Sequence, residues 1–193
     1  MLYQDFSNKT DEELVALTIE SQDVFAHLIN RYEKKLSRYI RRIAGLEQEE
    51  IEDLLQNIFI KVYRNLNDFD PELKFSSWIY RIAHNEVISH YRQKQRRPNH
   101  NPGEENDWEL LNIESDFNIE KETNNKLLRK NIEDVLNRME SKYREVLVLK
   151  YFEEKDYQEI SDILKKPMGT VATLLNRAKK EFKKAIEKNN LQI

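Results

Sequence analysis

The stretch DYQEISDILKKPMGTV, residues 156–171, has the pattern of a helix-turn-helix. Apolar residues recur every three or four positions on both sides of a short turn that contains Pro167, which is the spacing of two packed amphipathic helices. These apolar residues are Ile160, Ile163, Leu164, Val171, Leu174 and Leu175. A helix pair of this kind presents its second helix to the major groove of DNA.

The segment after the first of these helices is strongly basic. Between residues 165 and 188, eight lysines and arginines are opposed by two glutamates. A patch with this charge can neutralise DNA phosphates and release their counterions. The whole chain has a formal net charge of −3, so the local distribution of charge, rather than its sum, indicates DNA binding. An ordinary solvated amphipathic helix is the alternative interpretation of this segment.

The rest of the chain is also predicted to be helical. Three glycines and four prolines in 193 residues favour long helices over a fold with many turns. Apolar stripes predict one helix from about Phe25 and another from about Ile51, after a shorter helix near residues 12–20. A further long helix is predicted to begin at Ser76 or Ser77, because serine is a good N-cap residue.

The chain divides at a segment that cannot propagate a helix. Residues 98–125 contain eight acidic residues and a single basic one, Lys121, and they begin with prolines and a glycine. This composition is typical of a flexible acidic linker. Helical periodicity resumes near residue 128, and a helix over residues 143–152 leads to the helix-turn-helix. The sequence therefore predicts an all-α protein with two small domains, residues 1–97 and 126–193, joined by the linker 98–125.

One helix of the N-terminal domain carries a candidate protein-docking face. Asp53, Gln56 and Asn57 lie beside the apolar stripe that contains Leu54. A polar helix face that bears amides suits docking on another pair of helices. Plain solvent exposure is the alternative.

Aromatic and basic side chains are interspersed between Asp68 and Asn85. Single-stranded nucleic acid is held by aromatic stacking platforms in cationic grooves, so this stretch is a candidate nucleic-acid surface. For Phe75 and Trp78, a place in the hydrophobic core is an equally good interpretation.

With both motifs in view, the chain resembles the extracytoplasmic-function sigma factors of the sigma-70 family. The match to region 2 runs from Asp53-Leu54-Leu55-Gln56 to the segment Trp78–Asn85, and the match to region 4 runs from Tyr143 to Val171. The resemblance implies a cytoplasmic subunit that binds core RNA polymerase and directs transcription initiation at promoters. Its implied partners are the β′ clamp helices and the β flap of the polymerase, promoter DNA and, as in many relatives, an anti-sigma factor.

The resemblance also implies a role for each matching position. The contact with the β′ clamp helices falls on Asp53, Leu54, Gln56 and Asn57. The surface that melts and binds the −10 element falls on Asp68, Lys74, Phe75, Trp78, Tyr80, Arg81 and Asn85. The surface that reads the −35 element as duplex falls on Lys165, Lys166, Thr170, Thr173, Arg177, Lys179 and Lys180.

Four positions depart from the family pattern. Asn57 stands where an acidic residue is usual, and Lys165 stands where a turn glycine is usual. Ala172 and Leu174 occupy places in the second helix of the helix-turn-helix that are commonly basic in the family. Without these two charges, the sequence predicts a weak, salt-sensitive contact with −35 DNA that is usable only when core polymerase supplies the rest of the binding.

No pattern in the sequence indicates an enzyme, a metal site or a cofactor. The chain has no cysteine, and His84 and His90 are six residues apart, so on a helix they face different directions. There is no phosphate-binding glycine loop, no signal-peptide pattern and no apolar run near the roughly 20 residues of a membrane span. A two-domain helix-turn-helix regulator that does not bind polymerase stably is the alternative function, but it leaves the Trp78 region unexplained.

Overall fold

The structure is a computed structural model that describes residue 6 and residues 8–95 and 131–188. These residues form helices and turns, with no strand among them, so the all-α prediction is confirmed. The predicted acidic linker, residues 98–125, lies outside the described residues. The described helices form an N-terminal and a C-terminal bundle.

The N-terminal bundle contains four helices. They are α1 (Asp11–Glu20), α2 (Phe25–Ala44), α3 (Gln48–Arg64) and α4 (Phe75–Gln95), with single 3₁₀ turns at Gln22–Val24 and Leu66–Asp68. The Thr10 hydroxyl accepts a hydrogen bond from the Glu13 N–H, and the Glu13 carboxylate accepts one from the Thr10 N–H, so a capping box starts α1. Gly45 ends α2 with φ 62°, a left-handed conformation that glycine adopts without strain.

The predicted apolar stripes form the core of this bundle. Leu28, Leu36 and Ile40 of α2 are fully buried, and so are Ile58 of α3 and Ile79 of α4. Each such side chain contributes roughly 1.5–3 kcal/mol when it leaves water. The burial of these stripes confirms the helical periodicity on which the fold prediction depended.

The start of α4 corrects the sequence-based prediction. The helix begins at Phe75, one or two residues before the predicted serine caps. The Phe75 N–H donates to Glu12 Oε1 at 2.9 Å, so a carboxylate of α1 provides the cap. Ser77 is buried inside the first turn, and Ser76 contacts the C-terminal bundle.

One predicted helix of the C-terminal bundle differs in the structure. Residues 131–137 are helical (α5), and they are followed by α6 (Ser141–Leu147) and a π-helical turn over Val148–Phe152. The predicted helix over residues 143–152 is therefore divided, because the backbone widens after Leu147.

The helix-turn-helix prediction is confirmed in position and packing. Its helices are α7 (Tyr157–Leu164) and α8 (Met168–Lys188), and Asp156 caps the first of them. Lys165 ends α7 with φ 51°, the left-handed conformation for which glycine is usual. A residue with a Cβ atom costs roughly 1–2 kcal/mol there.

The two bundles pack against each other. Helix α4 lies along α7, and α2 approaches α6 and the π-helical turn. The first helix of the helix-turn-helix is thus placed directly on the helix that carries Trp78 and Arg81.

Candidate protein and nucleic-acid interfaces

The predicted docking face lies on the exposed side of α3. Asp53, Gln56 and Asn57 are exposed, whereas Leu54 is buried in the core of the N-terminal bundle. Two apolar side chains that were not expected from the sequence continue the face: Ile60 is 49% exposed and Tyr63 is 38% exposed. They follow Gln56 and Asn57 at helical spacing, so polar and apolar groups form one surface.

The aromatic residues of α4 lie mostly inside the fold. Phe75 and Trp78 are buried, with their ring centroids 5.7 Å apart, and Phe69 packs against both. Tyr80 is 2% exposed, and its ring lies 5.0 Å from that of Tyr39. In this conformation, therefore, Phe75 and Trp78 fit the core interpretation, and the third predicted aromatic contact with DNA, Tyr80, is buried as well.

The polar residues predicted to contact the −10 element are more accessible. Asp68, Lys74 and Asn85 are exposed, and Arg81 is half-buried. Lys74 Nζ lies 3.3 Å from Asp156 Oδ2 and 3.5 Å from Glu159 Oε2, so its charge is already paired with the C-terminal bundle. The hydrogen bond to Asp156 is the largest cause of a raised pKa at Lys74.

A cleft of about 180 Å³ separates α4 from α7. Lys74, Trp78 and Arg81 line one wall, and Asp156, Glu159 and Asp162 line the other. The wall on the α4 side thus carries two basic residues and Trp78, with Glu72 also on that side, and the wall on the α7 side is acidic.

Helix α8 divides its predicted DNA contacts between two faces. Thr170, Thr173, Arg177 and Lys180 are exposed and follow one another at steps of three or four, so they share one face. Lys179 lies on the other side, with its Nζ 5.6 Å from the centroid of the Tyr151 ring.

The two departures from the family pattern in α8 differ in their surroundings. Ala172 is exposed, and Leu174 is half-buried against the core. The Thr173 hydroxyl donates to the Gly169 carbonyl oxygen at 2.9 Å within the helix. At the preceding turn Lys165 is exposed and Lys166 is half-buried.

Comparison with known proteins decides the family. The model of Sigma-70 region 2 matches residues 28–97, and the model of Sigma-70, region 4 matches residues 129–182. The ECF RNA polymerase sigma factor SigW of Bacillus subtilis (strain 168) is 34% identical over 171 residues, which are 86% of this chain and 90% of that protein. The chain belongs to the extracytoplasmic-function sigma factors of the sigma-70 family. It directs transcription initiation by binding core RNA polymerase and recognising −10 and −35 promoter elements.

Other relatives agree with this assignment. The ECF RNA polymerase sigma-E factor of Haemophilus influenzae is 26% identical and aligns over 92% of this sigma factor and 96% of its own length. Among solved structures, CnrH in complex with the cytosolic domain of CnrY has a TM-score of 0.68 at 21% identity, covering 92% of this chain and 97% of that one. The sigma factor RpoE in complex with the anti-sigma factor NepR from Bartonella quintana has a TM-score of 0.66 at 20% identity, covering 84% and 96%. The two structures share the fold of this sigma factor.

Buried ionisable groups lie where the two bundles of the sigma factor meet. Arg144 of α6 is 2% exposed, and its Nη1 donates to the Ile43 carbonyl oxygen of α2 at 3.3 Å. Next to it, burial raises the pKa of Glu145 to about 7, although Lys166 and Arg144 act in the opposite direction. Burial also lowers the pKa of His84 on α4 to about 4, and the Lys166 charge adds to that shift.

The described parts of the sigma factor hold neither a membrane span nor a metal cluster. None of the helices in residues 8–95 and 131–188 is both long and apolar enough to cross a membrane. Within the same ranges, no three histidine, aspartate or glutamate side chains are arranged to share a metal ion.

Proposed function

We propose that the sigma factor uses residues 1–97 as region 2 and residues 126–193 as region 4, with 98–125 as the connecting linker. Region 2 docks on the β′ clamp helices through α3 and binds the −10 element through α4 and the preceding loop. Region 4 binds the β flap and reads the −35 element through α8. The polymerase supplies the chemistry of RNA synthesis, and the sigma factor needs no cofactor.

The single observation that carries this proposal is the composition of the exposed side of α3. Asp53, Gln56 and Asn57 provide hydrogen-bonding groups, and Ile60 and Tyr63 add apolar area beside them. Protein interfaces combine an apolar centre with a polar rim in this way. Leu54 supports the face from below, because it packs in the core rather than facing a partner.

The −10 surface is proposed for the loop and first turns of α4. Lys74, Arg81 and Asn85 provide charge and hydrogen-bonding groups for a single strand, and Asp68 lies at the start of the loop. Phe75, Trp78 and Tyr80 support this surface from within, and base stacking on any of them requires a change in their surroundings.

The −35 surface is proposed for the exposed face of α8 and the turn before it. Thr170 and Thr173 lie near the start of the helix, where base edges are read, and Arg177 and Lys180 lie further along for phosphates. Lys165 and Lys166 flank the groove from the turn. Lys179 lies beside Tyr151, outside this face, so a phosphate bound by Lys179 lies apart from those bound by Arg177 and Lys180.

We also assign the protein to the cytoplasm, where the polymerase acts, and propose an anti-sigma factor as a further partner. The solved complex of RpoE with the anti-sigma factor NepR supports this partner by analogy of fold.

The double substitution Asp53→Ala with Gln56→Ala tests the α3 assignment. We expect the affinity for core RNA polymerase to fall about tenfold or more, because the loss of a single hydrogen bond that involves a charged group costs roughly 1.5–3 kcal/mol. The measurement is a fluorescence titration of labelled sigma factor with purified core polymerase.

A matched control is available on α2. Asn30 and Glu33 are exposed and have the same spacing, so Asn30→Ala with Glu33→Ala also removes one amide and one carboxylate from a helix surface. The control should bind like the parent protein. Equal affinities of all three proteins would remove the α3 assignment.

A further inference from the structure

The cleft between α4 and α7 contains a buried hydroxyl group without a hydrogen-bond partner. Ser77 lines the cleft and is 6% exposed, and its Oγ is bonded to none of the residues that the structure describes. Most buried polar side chains in proteins have a hydrogen-bond partner. A hydroxyl left without one in the wall of a cleft therefore marks a place where a ligand can bind.

Arg81 is a second uncommitted polar group on the same wall. It follows Ser77 by four residues, so the two side chains lie on one face of α4. Arg81 is half-buried and, among the described residues, has no carboxylate partner. A guanidinium beside a hydroxyl offers several N–H donors and an O–H donor, and this combination suits a carboxylate.

Helix α7 presents the complementary groups on the opposite wall. Asp162 accepts hydrogen bonds from Gln158 Nε2 at 3.3 Å and 3.4 Å, which leaves the Gln158 amide oxygen available as an acceptor. No cation in the described part of the chain is paired with Asp162. Asp156 and Glu159 on this wall differ, because Lys74 is paired with both of them. Asp162 is thus the carboxylate of α7 that is free to hold a cationic group.

Arg81 and Asp162 therefore face the same cleft with opposite charges, and they form no ion pair with each other. A simple anion in the cleft would meet the carboxylate of Asp162, and a simple cation would meet the guanidinium of Arg81. A ligand with a carboxylate and an ammonium group on one carbon satisfies both walls. Glu72 also lines the cleft, but it is exposed to solvent, which screens its charge.

The dimensions and the remaining lining of the cleft limit the ligand further. Its volume of about 180 Å³ equals that of roughly six water molecules at 30 Å³ each. Pockets for drug-sized ligands are larger, at about 300–1,000 Å³. Trp78 and Leu73 add apolar surface, and Leu73 is 45% exposed. A small molecule with an apolar part beside its charged groups fits these limits.

We propose that the cleft between α4 and α7 binds a free α-amino acid with an apolar side chain. Arg81 and Ser77 hold its carboxylate. Asp162 and Gln158 hold its ammonium group, and its side chain packs against Trp78. This site goes beyond the promoter functions proposed above, and its test needs neither DNA nor polymerase.

Isothermal titration calorimetry of the full chain provides the first test, with leucine, methionine and phenylalanine as probes. We expect at least one of them to bind saturably, with a dissociation constant below about 1 mM. Two analogues of that probe each lack one charged end: its primary amide and the same acid without the amino group. Each analogue should bind at least about tenfold more weakly, because it loses charged hydrogen bonds.

Two results of this titration would overturn the proposal. The first is that none of the three probes binds saturably up to about 10 mM, which would show that the cleft holds solvent only. The second is that either analogue binds as tightly as the amino acid, which would show that the site does not recognise a zwitterion.

Single substitutions assign the two ends of the ligand to the two walls. In Arg81→Gln, the amino acid should bind no more tightly than its amide, because the carboxylate has lost its partner. In Asp162→Asn, it should bind no more tightly than the acid without the amino group. Ser77→Ala should weaken binding about tenfold without lowering the melting temperature, because it removes a hydroxyl that has no partner in the described structure.

A matched control lies on α2. Ser37 and Arg41 are also a half-buried serine and arginine four residues apart, and they do not line the cleft. Ser37→Ala with Arg41→Gln should bind the amino acid like the parent, whereas Ser77→Ala with Arg81→Gln should not bind it measurably. At about 10 mM ligand, the melting temperature should rise by about 2 °C or more in the parent and the control only. Equal loss of binding in both double variants would show that the amino acid does not occupy this cleft.

Discussion

Replacing Arg144 by methionine should lower the free energy of unfolding by about 3 kcal/mol. The guanidinium is buried, and it donates to the carbonyl oxygens of Asn137 and Met139 at 3.0 Å each and of Ile43 at 3.3 Å. Methionine fills a similar volume but leaves all three carbonyls without this donor, and each buried unsatisfied group costs roughly 1–3 kcal/mol. Urea denaturation followed by circular dichroism measures the loss.

Two further variants sharpen this result. Arg38 is exposed on α2, so Arg38→Met should change the free energy of unfolding by less than about 0.5 kcal/mol. Arg144→Lys keeps the charge, but an ammonium group lacks the planar fork that spans three carbonyls, so most of the loss should remain. A loss below about 1 kcal/mol for Arg144→Met would show that the arginine does not organise this junction.

Replacing Glu145 by glutamine should stabilise the protein above pH 7 by about 2–3 kcal/mol. Burial raises the pKa of this carboxyl to about 7 in the folded state, from an ordinary value of 4.5. As the pH rises from about 4.5 to about 7, the unfolded chain releases this proton first, so the parent protein loses stability over that range. Glutamine removes the titration, and the gain should vanish below about pH 4.5.

His84 gives this pH profile a second slope of opposite sign. Its pKa is lowered to about 4, so the folded state stays neutral while the unfolded chain takes up a proton below about pH 6.5. Its contribution to stability is therefore lost as the pH falls from 6.5 towards 4. Over the same range, protonation of Glu145 adds stability, because its pKa is higher in the folded state. The Glu145→Gln variant should thus become steeply less stable between pH 6.5 and 4.5, whereas the parent changes little. A gain in stability that is equal at pH 4.5 and pH 8 would contradict this account.

The helices could be predicted because their signals are local. The stripe from Leu28 to Ile43 and the turn around Pro167 are both patterns of nearby residues, and both are confirmed. The start of α4 could not be predicted, because its cap is Glu12, a residue 63 positions earlier in the chain. The division of the predicted helix over residues 143–152 could not be predicted either, because it occurs after Leu147, where the sequence has neither glycine nor proline.

The candidate interfaces were predictable to the same extent. The polar face of α3 follows from the spacing of Asp53, Gln56 and Asn57, and Ile60 could have been found as an apolar residue on that polar side. The burial of Tyr80 could not, because its partner Glu153 lies 73 residues away across the linker. Contacts between the bundles depend on how two separate folding units meet, which no periodicity encodes.

In vitro transcription from a genomic library tests most directly that this chain directs promoter-specific initiation. Core polymerase is incubated with the library with and without the sigma factor, and the 5′ ends of the transcripts are sequenced. We predict new start sites that share a −10 and a −35 sequence at constant spacing, and these sites should be lost with the Asp53→Ala and Gln56→Ala double variant. Start sites identical to those of core polymerase alone would contradict the account.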